Sequence, residues 1–181
     1  MKKVISILFG MAVLLPALAC PAAAGVVHPG IRDFGGIHDL PHAAVRPNPG
    51  DTYKAIFDVT SRPDKPGAIN PGLMHVARAV NVFASANVPL SHLHFVVILH
   101  GGAAPAALDN THYREEFGTD NPNTPLLDRL KQAGVKLYVC GQAMYDLHYQ
   151  TSWANPDVKV ALSALSTLVV YGDKGYAYIR Q

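Results

Sequence analysis

Cysteine is scarce in this chain. Cys20 and Cys140 are the only two among 181 residues, and Cys20 lies in a segment that we expect to be removed. A single remaining thiol excludes a disulfide within the chain and excludes a dithiol relay, because both need two cysteines. Cys140 is therefore either buried and inert or present for its chemistry.

Long apolar runs are also missing, except at the N-terminus. Residues 1–24 begin with two lysines after Met1, continue with an apolar run over 4–19 and end on three alanines. This pattern predicts a secretory signal peptide and a periplasmic protein. The run is too short for a spanning helix, which needs about 20 apolar residues, so no membrane span is expected. A lipoprotein anchor at Cys20 is a weaker alternative, because the residues around it match the motif poorly.

A strong excess of one charge is lacking too. The chain has 15 basic and 13 acidic residues, and loss of Lys2 and Lys3 with the signal peptide lowers the basic count to 13. Without a net charge or a basic cluster, nucleic acids and anionic membranes are not expected as partners. Nucleotide-binding glycine patterns, the zinc-protease histidine pair and the GxSxG motif are absent as well, and no cofactor is predicted.

Strand-like and helix-like patterns alternate through residues 52–181, which by length form one domain. The predicted strands are 53–59, 93–99, 135–139 and 158–162, and the predicted helices are 73–84, 124–133 and 142–149. Residues 103–123 are expected to be a short helical piece followed by a polar loop. The tail, 165–179, fits either a hairpin or a helix and a last strand. The alternation predicts an α/β fold, a parallel sheet with helices on both faces.

Residues 25–51 have no persistent period and are rich in Gly, Pro, Asp and His. They predict an extended N-terminal arm. The three histidines of the arm allow two interpretations, a metal site or a segment that wraps a neighbouring surface; they are His28, His38 and His42. The apolar residues of the arm need a surface to pack on, so we expect a homo-oligomer in which the arm crosses to a neighbouring subunit.

Cys140 has the most informative position in the chain. It ends a predicted buried strand and precedes a predicted helix, where free N–H groups and the helix dipole favour a thiolate. Open α/β sheets bind ligands at that edge. His100 ends the preceding strand, and sequential strands are often neighbours, so we expect His100 near Cys140, where it would stabilise the thiolate further. The alternative is that His100 only hydrogen-bonds a loop carbonyl.

His92 and His94 differ by two positions, a spacing that places both on one side of a strand. Metal sites use this spacing, and a two-histidine site completed by His75 or by a histidine of the arm is one interpretation. Ordinary surface histidines at the strand entrance are the interpretation that we favour, so no metal site is predicted.

Several short motifs together resemble the DsrE/DsrF-like family. They are YKAIFDV at 53–59, VVILHGGA at 96–103, LYVCGQAM at 137–144 and GYAYI at 175–179. The resemblance covers residues from about 51 to 181. It implies a mainly parallel five-stranded sheet, trimers or hexamers, and a tail with a helix over 164–172 and a strand over 176–180.

The family resemblance also implies a function for Cys140. Better-understood members carry sulfur as a persulfide on a cysteine at this place, so we expect an exported sulfur carrier or sulfurtransferase-like protein that meets a protein or small-molecule sulfur donor or acceptor. A periplasmic small-molecule or metal-binding module is the alternative function. Besides Cys140 and His100, the residues predicted to contact a ligand are Gly101, Gly102, Gly141 and Gln142.

Overall fold

The computed structural model describes residues 25–181; the predicted signal peptide and Cys20 lie outside the described residues. Five strands form one parallel sheet in the order β4-β3-β2-β1-β5. The strands are β1 (Tyr53–Val59), β2 (Leu93–Leu99), β3 (Lys136–Cys140), β4 (Lys159–Ala161) and β5 (Ala177–Arg180). The helices are α1 (Pro71–Ser85), α2 (Asn110–Phe117), α3 (Thr124–Gln132), α4 (Gly141–Asp146) and α5 (Ala164–Gly172). The single α/β domain predicted from the sequence is therefore confirmed.

Successive side chains of each strand point to opposite faces of the sheet. The major face carries Phe57, Phe95 and Val97, and it packs against α1, α3 and the segments that follow β2 and β3. The minor face carries Ile56, Val96, Ile98 and Cys140, and its buried cluster is completed by Ala164 of α5. The sheet is thus covered on both faces, and the minor face is covered by one helix, α5.

Local signals set the limits of the helices. Asn70 caps α1 through its side chain, which accepts a hydrogen bond from the Leu73 N–H, and Pro71 occupies the first helical position. Gly134 has φ +87 and ends the turn between α3 and β3. The tail forms α5 and β5, as the family resemblance implies, and not a hairpin.

The polar loop expected within residues 103–123 is wrong in part, because residues 110–117 form α2. Asp109 caps this helix by accepting from the His112 N–H, and Gly118 ends it with φ +73. Tyr113 is buried, and its ring contacts that of Phe117, four residues along, in a tilted arrangement. Polar composition concealed a helix that is held by its caps and by one pair of aromatic side chains.

Part of the N-terminal arm packs on its own chain. The Asn81 side chain on α1 accepts from the Gly30 and Ile31 N–H groups and donates to the Phe34 and Gly35 carbonyls. Ile31 is 1% exposed. Gly35 lies so close to α1 that a β-carbon at this position would come within 2.2 Å of the backbone nitrogen of Arg78. The prediction that the arm crosses to a neighbouring subunit is therefore wrong for residues 31–37.

Candidate functional site

Cys140 lies where two helices begin. It is the last residue of β3 and the N-cap of α4, and its Sγ accepts a hydrogen bond from the Ala143 N–H at an N···S distance of 3.4 Å. A second N–H, that of Ala164 at the start of α5, points at the same sulfur at 3.2 Å. Both donors are helix-start amides without a partner inside their own helix. A thiolate accepts such bonds more strongly than a thiol does.

The path of the chain explains why two helix starts converge there. After β3 the chain crosses over the major face, where Met144 and Tyr149 are buried in the core. After the neighbouring strand β4 it crosses over the minor face through α5, whose Ala164 and Leu168 pack there. Adjacent parallel strands whose connections leave in opposite directions open a crevice at their carboxyl ends, the usual ligand position in open α/β sheets. Cys140 stands at this switch point.

An open cleft of about 910 Å³ occupies the switch point. It is lined from the β3 side by Gly141, Gln142, Tyr145 and residues 148–151, and from the β4 side by Val160, Ala161 and Leu162. Gly141 approaches β4 closely: a β-carbon at this position would lie 2.9 Å from the Ala161 carbonyl oxygen. The sequence-predicted residues Gly141 and Gln142 thus line the cleft beside Cys140, which is itself 5% exposed.

His100 lies on the strand next to Cys140, on the same face and at the same edge of the sheet. Leu99 pairs with Val139, so the next residues, His100 and Cys140, follow in register. The His100 N–H donates to the Val59 carbonyl and prolongs β2 by one residue. Its ring, however, turns towards β1, where Nε2 lies 2.5 Å from the Asp58 carboxylate. The structure brings the predicted pair to neighbouring positions but shows no hydrogen bond between them.

Asp58 is a site residue that the sequence reasoning missed. Its side chain is buried on the minor face, and its second oxygen accepts a hydrogen bond of 2.6 Å from the Tyr178 hydroxyl of β5. The bond to Asp58 raises the pKa of Tyr178 above its usual value. The available signal was an aspartate within the apolar end of the stretch YKAIFDV, since a buried carboxylate needs polar partners.

Gly101 and Gly102 begin the 3-10 segment Gly101–Ala107 after His100. Gly102 lines a second, smaller cleft of about 390 Å³. The charged and phenolic side chains of this cleft are Arg62, Asp64, Lys65, Tyr113, Glu116 and Tyr149. Burial and the neighbouring Glu116 carboxylate raise the pKa of Tyr149 to about 12. Gly102 and the pair Gly141 and Gln142 therefore border different clefts.

The histidines outside this edge do not assemble into a metal centre. Within residues 25–181, no group of three or more His, Cys, Asp or Glu side chains has a geometry that could hold a metal ion. His75 hydrogen-bonds the Gln181 side chain instead. In the same range, no helix is both long and apolar enough to cross a membrane.

Comparisons with known proteins place the chain in a family. Among solved structures, it is similar to a protein of unknown function, MTH1491 from Methanobacterium thermoautotrophicum, with a TM-score of 0.55 and 17% sequence identity over 71% of this chain and 99% of that one. This likeness shows the fold. No curated protein sequence matches. The model of the DsrE/DsrF-like family matches residues 54–180, which include every strand except the first residue of β1 together with Asp58, His100 and Cys140. The chain belongs to the DsrE/DsrF-like family.

Proposed function

We propose that the protein accepts and carries sulfane sulfur as a persulfide on Cys140. The observation that carries this proposal is the pair of helix-start N–H groups directed at Sγ. Two amide donors stabilise negative charge on Sγ in the thiolate that attacks the donor. Membership of the DsrE/DsrF-like family supports a role of the sulfur-relay type.

The chemistry is a displacement at sulfur. The Cys140 thiolate attacks the outer, sulfane sulfur of a donor such as thiosulfate, a new S–S bond forms, and the bond between the two donor sulfurs breaks. Sulfite leaves with the electron pair of the broken bond, and Cys140 holds a persulfide anion. No external oxidant or reductant is needed. The cleft beside Gly141 and Gln142 provides space for the donor and, later, for the acceptor.

Intact mass spectrometry tests the proposal. Residues 25–181 are incubated with thiosulfate or inorganic polysulfide and compared with a Cys140→Ser variant. We expect the wild type to gain the mass of one sulfur atom, to lose it again on reduction with a dithiol, and Cys140→Ser to gain nothing. A wild type that gains no sulfur, or a variant that gains it equally, contradicts the proposal.

The cellular location is proposed from composition. The two lysines, the apolar run and the three alanines of residues 1–24 support export and cleavage before Gly25. Expression of the full chain in a bacterium, followed by fractionation and N-terminal sequencing, tests this. A periplasmic protein that begins at Gly25 is expected, and a cytoplasmic protein that retains Met1 or Lys2 contradicts export.

We also propose that the protein is a homo-oligomer, a trimer or hexamer. The support is the exposed apolar surface beside the switch-point cleft, since large apolar patches of this kind mark association surfaces. Its members are Tyr145, Leu162, Leu165, Val169 and Val170, which are between 48% and 81% exposed in the single chain. Light scattering on residues 25–181 is expected to give three or six times the mass of one chain, and the mass of a single chain contradicts the proposal.

A further inference from the structure

A buried carboxylate bridges two polar side chains on the minor face. Asp58 is 6% exposed, and its two oxygens face different partners: Oδ1 lies 2.5 Å from His100 Nε2, and Oδ2 lies 2.6 Å from the Tyr178 hydroxyl. Three strands, β1, β2 and β5, contribute one residue each. A carboxylate without partners at such depth would lower stability strongly, so both contacts are needed to keep Asp58 buried.

The two contacts fix where the protons lie. An ionised Asp58 only accepts hydrogen bonds, so both partners must donate to it. Tyr178 donates its hydroxyl proton, and the raised pKa of Tyr178 agrees with a neighbouring negative charge. His100 then donates Nε2–H. In the neutral imidazole the other nitrogen, Nδ1, is left as an acceptor, and it makes no hydrogen bond with residues 25–181.

We propose that Asp58 is a positioning residue that holds His100 as the Nε2–H tautomer, so that its Nδ1 accepts the thiol proton of Cys140. This inference rests on the proposed sulfur-carrier function. The register supports it, because His100 and Cys140 follow the paired residues Leu99 and Val139 on the same face. Neighbouring strands are about 4.8 Å apart, which places the two side chains within reach of each other, directly or through one water.

The proton transfer is balanced within the chain. The S–H bond of Cys140 breaks, an N–H bond forms at His100 Nδ1, and the products are a thiolate and an imidazolium. The Asp58 carboxylate stabilises the imidazolium, and the N–H groups of Ala143 and Ala164 stabilise the thiolate. The proton is later available for a leaving group. The ionisable groups on the strands around His100 are Asp58 on β1 and Cys140 on β3, and beyond β1 Tyr178 and Arg180 on β5.

¹⁵N NMR determines the tautomer of His100 independently of persulfide formation. Side-chain spectra of ¹⁵N-histidine-labelled protein are recorded at about pH 8.5, where an unperturbed imidazole is neutral. His100→Gln assigns the His100 signals by their loss. We expect Nε2 protonated and Nδ1 unprotonated in the wild type and in Tyr178→Phe, which keeps the carboxylate. In Asp58→Asn the amide can turn its NH₂ group to Nε2, so we expect the Nδ1–H tautomer to appear.

The rate of persulfide formation tests whether the His100 tautomer matters for the reaction of Cys140. At pH 7, Asp58→Asn is expected to form the Cys140 persulfide from thiosulfate at least about 10-fold more slowly than the wild type, which is less than the loss of a proton acceptor costs because His100 itself is kept. Tyr178→Phe is expected to stay within about 3-fold of the wild type, because the proton acceptor keeps its tautomer. Far-ultraviolet circular dichroism confirms that each variant is folded.

The outcomes separate this inference from the proposed function. A wild-type His100 protonated on Nδ1, or an Asp58→Asn variant with an unchanged tautomer, overturns the positioning role whatever Cys140 does. Persulfide formation at the wild-type rate in folded Asp58→Asn overturns the link to Cys140. A wild type that forms no persulfide contradicts the proposed function and this link together, while the tautomer measurement still decides whether Asp58 positions His100.

Discussion

The two faces of the sheet are built differently. The major face is covered by α1, α3 and the segments after β2 and β3, and its strand residues are almost entirely excluded from solvent. The minor face is covered mainly by α5, a helix whose Leu165 and Val169 remain 78% and 63% exposed. The side chains that could take part in a reaction are Cys140, His100 and Asp58. All three lie on the minor face at the carboxyl edge of the sheet.

The major face chiefly supplies stability, and the minor face carries the polar groups. Stability comes chiefly from apolar area removed from water, at about 25 cal/mol per Å², and most of that area belongs to the major face. Buried polar groups lower stability unless each has a partner. Such groups are tolerated on the minor face because its thin cover leaves the strand ends open, and because backbone amides and the bonds of Asp58 satisfy them.

The largest expected effect on stability comes from comparing a substitution on the major face with one in α5, the helix that covers the minor face. Phe95 is 1% exposed and meets Phe57 and Phe83 edge to face on the major face. Phe95→Ala is expected to lower the free energy of unfolding by about 3–5 kcal/mol through lost burial and a cavity. Val169→Ala on α5 is expected to change it by less than about 0.5 kcal/mol in the monomeric chain. Urea unfolding measures both, and equal losses break the comparison.

Alkaline pH should lower the free energy of unfolding through Tyr149, which is buried on the major face. Its pKa is raised to about 12 in the folded protein, against about 10 for an ordinary tyrosine. A raised folded pKa means that the fold favours the neutral phenol, so this stability is complete below pH 10 and is lost as pH rises towards 12. The loss amounts to about 2–3 kcal/mol.

The matched control is Tyr149→Phe, which removes the titrating group and keeps the ring. The free energy of unfolding of this variant is expected to fall less steeply between pH 10 and pH 12 than that of the wild type. Parallel curves for the two proteins would show that Tyr149 is not the cause.

The arm should depend on one side chain of the major-face cover. Asn81 is fully buried and joins α1 to residues 30–35 through four strong hydrogen bonds. Asn81→Ala leaves these backbone groups unpaired and is expected to cost about 2 kcal/mol. It should also make the arm a preferred site of proteolysis. Asn87→Gly on the turn after α1, where φ is +63 and glycine is tolerated, serves as control. An arm equally resistant in both variants contradicts this role.

The smallest effect on stability is expected on the minor face. Leu165→Ser together with Val169→Ser should change the unfolding of the single chain by less than about 0.5 kcal/mol, because both side chains are exposed. The same pair should dissociate the proposed oligomer in light scattering. An oligomer unchanged by the two substitutions places the subunit interface elsewhere.

The major-face architecture was largely predictable from the sequence. Strands over 53–59 and 93–99 were predicted with the bounds that the structure shows. The first alternates weakly and ends at turn-forming residues, and the apolar continuity of the second is typical of a strand buried on both sides. The strand-to-helix position of Cys140 was equally clear, because a turn glycine and an apolar run precede it. Polar composition misled at α2, where the caps at Asp109 and Gly118 outweigh it.

The site was predictable from the sequence only where it depends on strands that follow one another along the chain. The neighbouring positions of His100 and Cys140 follow from sequential strands being adjacent. The amide of Ala164 at the Cys140 sulfur depends on the crossover of α5 to the opposite face, and the bond from Tyr178 to Asp58 joins residues 120 positions apart. No pattern in a single sequence reports contacts of such separation.

The central claim is that Cys140 is a reactive thiol despite its burial, and its alkylation rate tests this most directly. The rate with iodoacetamide is measured at about pH 6 on the native protein and on the same protein unfolded in urea. At this pH an ordinary thiol, which titrates near pH 8.5, is almost entirely protonated. Because two helix-start amides favour the thiolate, we predict that the native protein reacts faster than the unfolded one. A native thiol that reacts more slowly than the unfolded thiol would be a structural core residue and would contradict the account.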